Sequence, residues 1–97
     1  MLKAQEAYAI TAQVTRAKYE QGIRKAQEVI TTIEGYITRA AQAGDDYSVI
    51  HPMRIMSIDS AEEKAAYLSE LITIINNAGY ITKYNPSAET MQISWAR

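Results

Sequence analysis

The chain contains no cysteine. That absence excludes disulfides, thiolate nucleophiles and most structural zinc sites, and makes a reducing, cytoplasmic setting the expectation. Phenylalanine is missing too, whereas tyrosine occurs seven times and tryptophan once. Every aromatic ring therefore carries a polar handle, which suits interfaces and the rims of cores. No window approaches the roughly 20 apolar residues that a membrane span requires. The opening Met1-Leu2-Lys3-Ala4-Gln5-Glu6 lacks the apolar stretch of a secretory signal. A soluble protein without a membrane partner is expected. Excess charge of one sign is also lacking. The net charge of -1 over 97 residues gives no general attraction to nucleic acid or to an anionic membrane, so nucleic acid is not an expected partner. The four glycines, at 22, 35, 44 and 79, stand apart from one another, so no glycine loop cradles a phosphate.

What is present divides the chain near residue 44. Residues 1 to 44 carry six Lys or Arg against four acids, and residues 45 to 97 carry four against seven. The asymmetry is too small to name a ligand. From residue 4 to 43 there is no proline, and the pattern is helical until Gly44 and Asp45-Asp46 end it. Ile23, Ala26, Ile30, Ile33, Ile37, Ala40 and Gly44 follow a three-four repeat, the seam of a helix packed along another surface. Upstream, Ala7, Ile10, Val14 and Ala17 form a second stripe, but its continuation falls on Gln21. The two stripes are out of register near Gly22, which predicts a kink or break there. An unbroken helix over this range would be about 60 Å long, more than a domain of this size can cover. Either the chain folds back at Gly22, or residues 4 to 21 reach out to a partner chain, or they form a solvated arm. The apolar stripe favours the partner. The expected organisation is a helical arm over residues 1–22 that makes a homo-oligomer, followed by a single α+β domain over residues 23–97.

The second half is more strongly signed. Ser60 and Glu63 make a capping box. Ala65, Leu68, Leu71, Ile72, Ile75 and Ala78 recur three and four apart, and Gly79 stands where a left-handed cap closes a helix. Tyr80 to Tyr84 and Met91 to Trp95 are β-prone, with the turn formers Asn85, Pro86 and Ser87 between them. Tyr47 to His51 is a further short strand, stopped by Pro52, and Met53 to Ile58 is an apolar connection. The fold class is therefore α+β: a long N-terminal helix, broken or not near Gly22, then a strand, a helix and a two-stranded hairpin. Right-handed crossover through helix 61 to 78 sets strand 47 to 51 parallel to strand 80 to 84. The result is a small three-stranded sheet with helices on one face.

Little in the chain reads as catalytic chemistry. His51 is the only histidine, and strand alternation puts it with Tyr47 and Val49, opposite Ser48 and Ile50. A structural role at a strand end outweighs general-base work, for which no partner is evident. Asp45 and Asp46 make a turn more readily than a metal site, since no further carboxylate follows at ligand spacing. Neither a metal nor a cofactor is expected, and the chain reads as non-enzymatic. A ligand held by stacking and guanidinium groups remains open, with Tyr47, Tyr80, Tyr84, Trp95, Arg39, Arg54 and Arg97 as its candidates. Trp95 alternates with Ile93 and Met91 and reads as core. Tyr84 and Lys83, near the hairpin tip, read as exposed.

Several stretches together carry a resemblance. The first helix ends Ala40-Ala41-Gln42-Ala43-Gly44, the strand begins Tyr47-Ser48-Val49, the later helix closes as Leu71 to Ala78-Gly79-Tyr80, and the chain finishes Ile93-Ser94-Trp95. Over roughly residues 23 to 96 this resembles small α+β proteins encoded widely by tailed bacteriophages. The segment before Gly22 departs from the shorter versions. The resemblance implies either a virion structural or assembly component, or an inhibitor of host defence, including oligomeric sponges that sequester a nucleotide signal. The reading adopted is a non-enzymatic binding protein acting in the host cytoplasm, with a nucleotide-type small molecule or a host defence protein as partner. The virion component is its alternative.

A ligand would sit where strand ends and helix termini face a subunit boundary, and Arg54, Tyr84 and Arg97 lead the candidates. Each has a plainer role available: Arg54 solvating a loop, Tyr84 capping the hairpin, Arg97 ending the chain.

Overall fold

The computed structural model describes residues 1 to 95. Helix α1 spans Ala4–Gln42, strand β1 Tyr47–Ile50, the single-turn helix α2 Pro52–Ile55, and helix α3 Ala61–Asn77. Strands β2, Ile81–Asn85, and β3, Thr90–Ser94, form the closing hairpin. The expected α+β architecture is thus observed.

The sheet has the order β1-β3-β2, and both pairings are antiparallel. With β3 between them, β1 and β2 run in the same direction, as the crossover through α3 requires. The register aligns Ile50, Met91 and Tyr84 in one row and Ser48, Ile93 and Thr82 in the next, all on the inner face. Tyr47, Val49 and Ile81 alternate onto the outer face, where they are exposed. Against the inner face pack α1, beside β1, and α3, beside β2. Their meeting encloses Ala26, Val29, Ile33, Tyr67, Leu71, Ile75, Ile50, Met91 and Ile93. Burial of each of the larger aliphatic side chains is worth about 1.5–3 kcal/mol.

The expected break at Gly22 is absent, because α1 is one continuous helix of 39 residues. The glycine serves packing instead. A Cβ at this position would lie 2.3 Å from the Glu63 carbonyl oxygen and 3.0 Å from both the Ala66 Cβ and the Tyr67 nitrogen. Gly22 is where the backbone of α1 touches the first turns of α3. This contact also shifts the phase of the seam. Gly22, Ala26, Val29, Ile33 and Ile37 are buried, whereas Ile23 is exposed and Ile30 only packs against the core edge.

Helix α3 begins as expected. The Ser60 hydroxyl accepts the Glu63 N–H at 3.1 Å, and Glu63 Oε2 reaches past the cap to accept the Asp59 N–H at 2.8 Å. Its end at Gly79 has φ of 99°, which glycine adopts without strain. Each strand of the hairpin runs one residue further into the turn than expected, in an unchanged register. Asn85 pairs with Thr90, and the Asn85 Oδ1 accepts the Ser87 and Ala88 N–H groups at 3.0 and 3.3 Å. At the end of the chain's described part, Trp95 is half-buried and packs on the edge of the core rather than within it, its ring edge-on to Tyr80 at 6.1 Å.

Because α3 starts beside Gly22, it borders the base of the α1 segment before that point, Tyr19 sharing a hollow with Ala65, Ala66 and Ser69 and Val14 and Ala17 one with Asp59 and Ser60, while Tyr8 and Ile10 further out are exposed. The molecule measures 64 × 24 × 20 Å, its long axis reflecting α1. Residues 4–21 form a projecting helical arm.

Candidate functional site

The candidate site lies at the corner between β1 and α2. Strand β1 ends at Ile50, which is buried, and Pro52 then occupies the first position of α2, where its missing N–H costs no hydrogen bond. The turn is held from both sides. His51 O accepts the Arg54 N–H at 2.9 Å, and Pro52 O accepts the Tyr67 hydroxyl at 2.8 Å. Tyr67 is fully buried, and burial pushes its phenol up to about 12. A rigid anchor in α3 therefore fixes the corner that presents His51 and Arg54.

Tyr36 on α1 closes the other side. Tyr36, Val49, Ile50, His51, Arg54 and Ile55 line a hollow of about 270 Å³. Arg54 is exposed and His51 half-buried. A second guanidinium stands close, with Arg39 Cζ 5.9 Å from the Tyr36 ring centroid. The corner thus combines an aromatic ring, an imidazole, a guanidinium with no ion pair among the described residues, and an apolar floor. Such a set holds a flat ring and an anionic group together, the guanidinium pairing bidentately with phosphate or carboxylate.

Of the three leading sequence candidates, only Arg54 lies at this hollow. Tyr84 is not exposed at the hairpin tip. It faces inward in the row of Met91 and Ile50, and its hydroxyl is buried without a hydrogen-bond partner among the described residues. The inner face receives Tyr84 because it pairs with the fully buried Met91. Tyr84 also belongs to β2, the sheet edge opposite β1, so β3 separates it from the Arg54 corner. Arg97 lies outside the described residues. Among the wider candidates, Tyr47 stands on the outer sheet face and Tyr80 contacts Trp95. Asp45 and Asp46 follow Gly44 in a turn, where Asp46 O accepts the Trp95 N–H at 2.9 Å. Among the described residues no group of three metal-ligating side chains occurs, and no helix is long and apolar enough to cross a membrane.

Sequence reasoning missed two features, one at the site and one away from it. Tyr36 was one of several tyrosines, and only the tertiary approach of α1 to α2 singles it out. The other is a buried ion pair at the base of the arm. Lys25 Nζ lies 2.6 Å from Glu63 Oε1 and 3.7 Å from Asp59 Oδ2, and it donates to Ser57 O at 2.8 Å. The bond to Lys25 first, and the Asp59 N–H second, hold the Glu63 carboxyl below the usual carboxylate range. Lys25 is raised in turn, chiefly by the same bond to Glu63. This cluster clamps α1 to the start of α3 and is structural.

The arm is the second exposed feature of functional interest. Tyr8 is 76% exposed, Ile10 53%, Val14 49% and Tyr19 42%. Around an ideal helix, Tyr8, Ala12, Thr15 and Tyr19 continue the face that α3 covers further on, while Ala7, Ile10, Val14 and Ala17 lie roughly 120° away. Val14 and Ala17 overhang Asp59, Ser60 and Glu63 at the start of α3. No family model matches the chain, and comparisons with curated proteins and with solved structures return no match.

Proposed function

We propose that this chain is a non-enzymatic binding protein, assembled from several copies through its arm, that captures a small anionic ligand of nucleotide type at the β1–α2 corner. The observation that carries the ligand part is the hollow of about 270 Å³ where Tyr36, His51 and Arg54 converge. Its size is just below the ~300–1,000 Å³ of typical small-molecule sites, which suits one ring with its charged group left at the exposed Arg54. Acting in a phage-infected host cell to sequester a nucleotide signal of a defence system is the setting that the sequence resemblance supports.

The test is calorimetric titration of the protein with nucleoside mono-, di- and triphosphates and cyclic dinucleotides, followed by denaturation and mass analysis of the recovered ligand. One of these binds and is returned unaltered. Arg54→Lys weakens it by about tenfold or more, or ~1.4 kcal/mol, and leaves stability within about 0.5 kcal/mol, as expected of a surface change. Absence of binding across the set refutes the ligand, and a chemically altered ligand refutes the non-enzymatic reading.

The exposed arm favours a second reading, a virion or assembly component. In that case the protein copurifies with particles and binds no member of the set.

A further inference from the structure

We propose that the arm face formed by Ala4, Tyr8, Thr11, Ala12, Thr15 and Tyr19 docks against the same face of a second copy, the two arms running antiparallel about a two-fold axis between Thr11 and Ala12. This deepens the assembly half of the reading above and rests on it.

Three observations lead to this occupant. The first is continuity. At about 100° per residue the face lies in line with Gly22, Ala26, Val29, Ile33 and Ile37, which α3 covers. The covered seam becomes an open groove lined by Tyr8, Thr11, Ala12, Thr15 and Tyr19, with the charged Arg16 and Glu20 along one rim. A helix that replaces α3 over this stretch extends a packing surface already in use.

The second is steric self-complementarity. An isologous contact must match a surface to its own inverse. With the axis between Thr11 and Ala12, Tyr8 meets the partner's Thr15, Tyr19 meets the partner's Ala4, and Thr11 meets the partner's Ala12. Each large ring is set against a small residue, the alternation that lets helices interdigitate. A parallel pair sets Tyr8 on Tyr8 and Tyr19 on Tyr19.

The third is extent. Tyr8 and Tyr19 are 76% and 42% exposed, so at up to ~250 Å² per ring the pair from two copies supplies about 600 Å², and Ala4, Thr11, Ala12 and Thr15 along the ~27 Å arm carry the contact toward the low end of specific interfaces, ~1,200 Å².

The geometry has a corollary for the corner hollow. Tyr36 is 24 positions beyond the axis, about 36 Å along the helix. The partner's arm does not reach it, and each copy carries its own complete hollow rather than sharing one at the boundary.

The chain's lack of cysteine makes the test direct. Single cysteines are introduced into the full chain as Thr11→Cys, Ala4→Cys and Tyr19→Cys, and cross-linked with a bis-maleimide of about 10 Å reach. Thr11→Cys links to itself. Ala4→Cys and Tyr19→Cys each fail alone, their symmetry mates lying about 22 Å apart, but link when mixed. Sedimentation at micromolar concentration gives a multiple of the chain mass, which Tyr8→Glu reduces to one chain and Ile10→Glu leaves unchanged. A monomeric wild type overturns assembly altogether. A multimer in which Ala4→Cys links to itself overturns only the antiparallel arrangement, and one dissociated by Ile10→Glu but not Tyr8→Glu overturns the choice of face.

Discussion

Two glycines in the same helix should respond oppositely to the same substitution. Gly22 and Gly35 both lie inside α1. Replacing either with alanine gains about 0.8–1.0 kcal/mol of helix propensity. At Gly35 nothing lies within 4 Å of the new Cβ, so that gain is realised in full. At Gly22 the Cβ would sit 2.3 Å from the Glu63 carbonyl oxygen. The obstacle is the backbone of α3, fixed by the Ser60 cap and the Lys25–Glu63 pair, so no side chain can rotate away. The helices must separate by about 1 Å, and a gap of 0.5–1 Å forfeits roughly a quarter to a half of each contact's dispersion energy. Strain of this kind costs about 1–3 kcal/mol, occasionally more. A clash with main chain belongs at the upper end, so Gly22→Ala loses about 2 kcal/mol net. Urea unfolding followed by circular dichroism gives both values, with the slope checked for constancy between variants. If Gly22→Ala stabilises as much as Gly35→Ala, the α1–α3 contact is not where it is described.

Tyr84→Phe removes a buried hydroxyl that has no partner among the described residues, so its unfolding free energy should stay level or rise by up to about 1 kcal/mol; a loss above 1 kcal/mol would mean that the hydroxyl is bonded. Glu63 has a folded pKa below its ordinary value of 4.5, so its contribution is fully present above pH 4.5 and is lost as the pH falls through the depressed value. The stability difference between wild type and Glu63→Gln, measured by denaturation from pH 6 to 2, should therefore shrink toward acid, and a constant difference would refute the pairing. Tyr67 has a folded pKa raised to about 12 from 10.0. Its contribution is full below pH 10 and falls as the pH rises toward 12, so the advantage of wild type over Tyr67→Phe should narrow across that interval; an advantage that stays flat would show the phenol to be solvated.

The local elements of the second half were legible because each is decided by neighbours in sequence. Ser60, Glu63 and Gly79 mark the ends of α3 through hydrogen bonds and backbone geometry within a few residues. The first half was legible in type and length but not in phase. A mid-helix glycine reads as a weak point, yet Gly22 is required by an α3 backbone some 40 positions away. Val29 and Ile30 are both apolar, and which of them is buried depends on the same contact, since Gly22 and Ala26 set the seam. Nearness to the hairpin tip suggests exposure for Tyr84, but its place opposite Met91 sets it on the inner face, because residues paired across strands share a face. Pro52 both ends β1 and starts α2, and only the first role was apparent. At the candidate site, Arg54 was visible as an arginine two positions after Pro52. Tyr36 and the Lys25–Glu63 pair were not, since they arise where α1 meets elements remote in sequence.

The central claim is that copies of this chain assemble through the arm and hold a small anionic ligand. Native mass spectrometry of the intact protein, purified from phage-infected cells, reports the number of copies and any retained molecule in one spectrum. The account predicts a multiple of the chain mass, with an additional small anionic species that is released unaltered on denaturation and lost in Arg54→Lys. A single-chain mass with no retained molecule would contradict it.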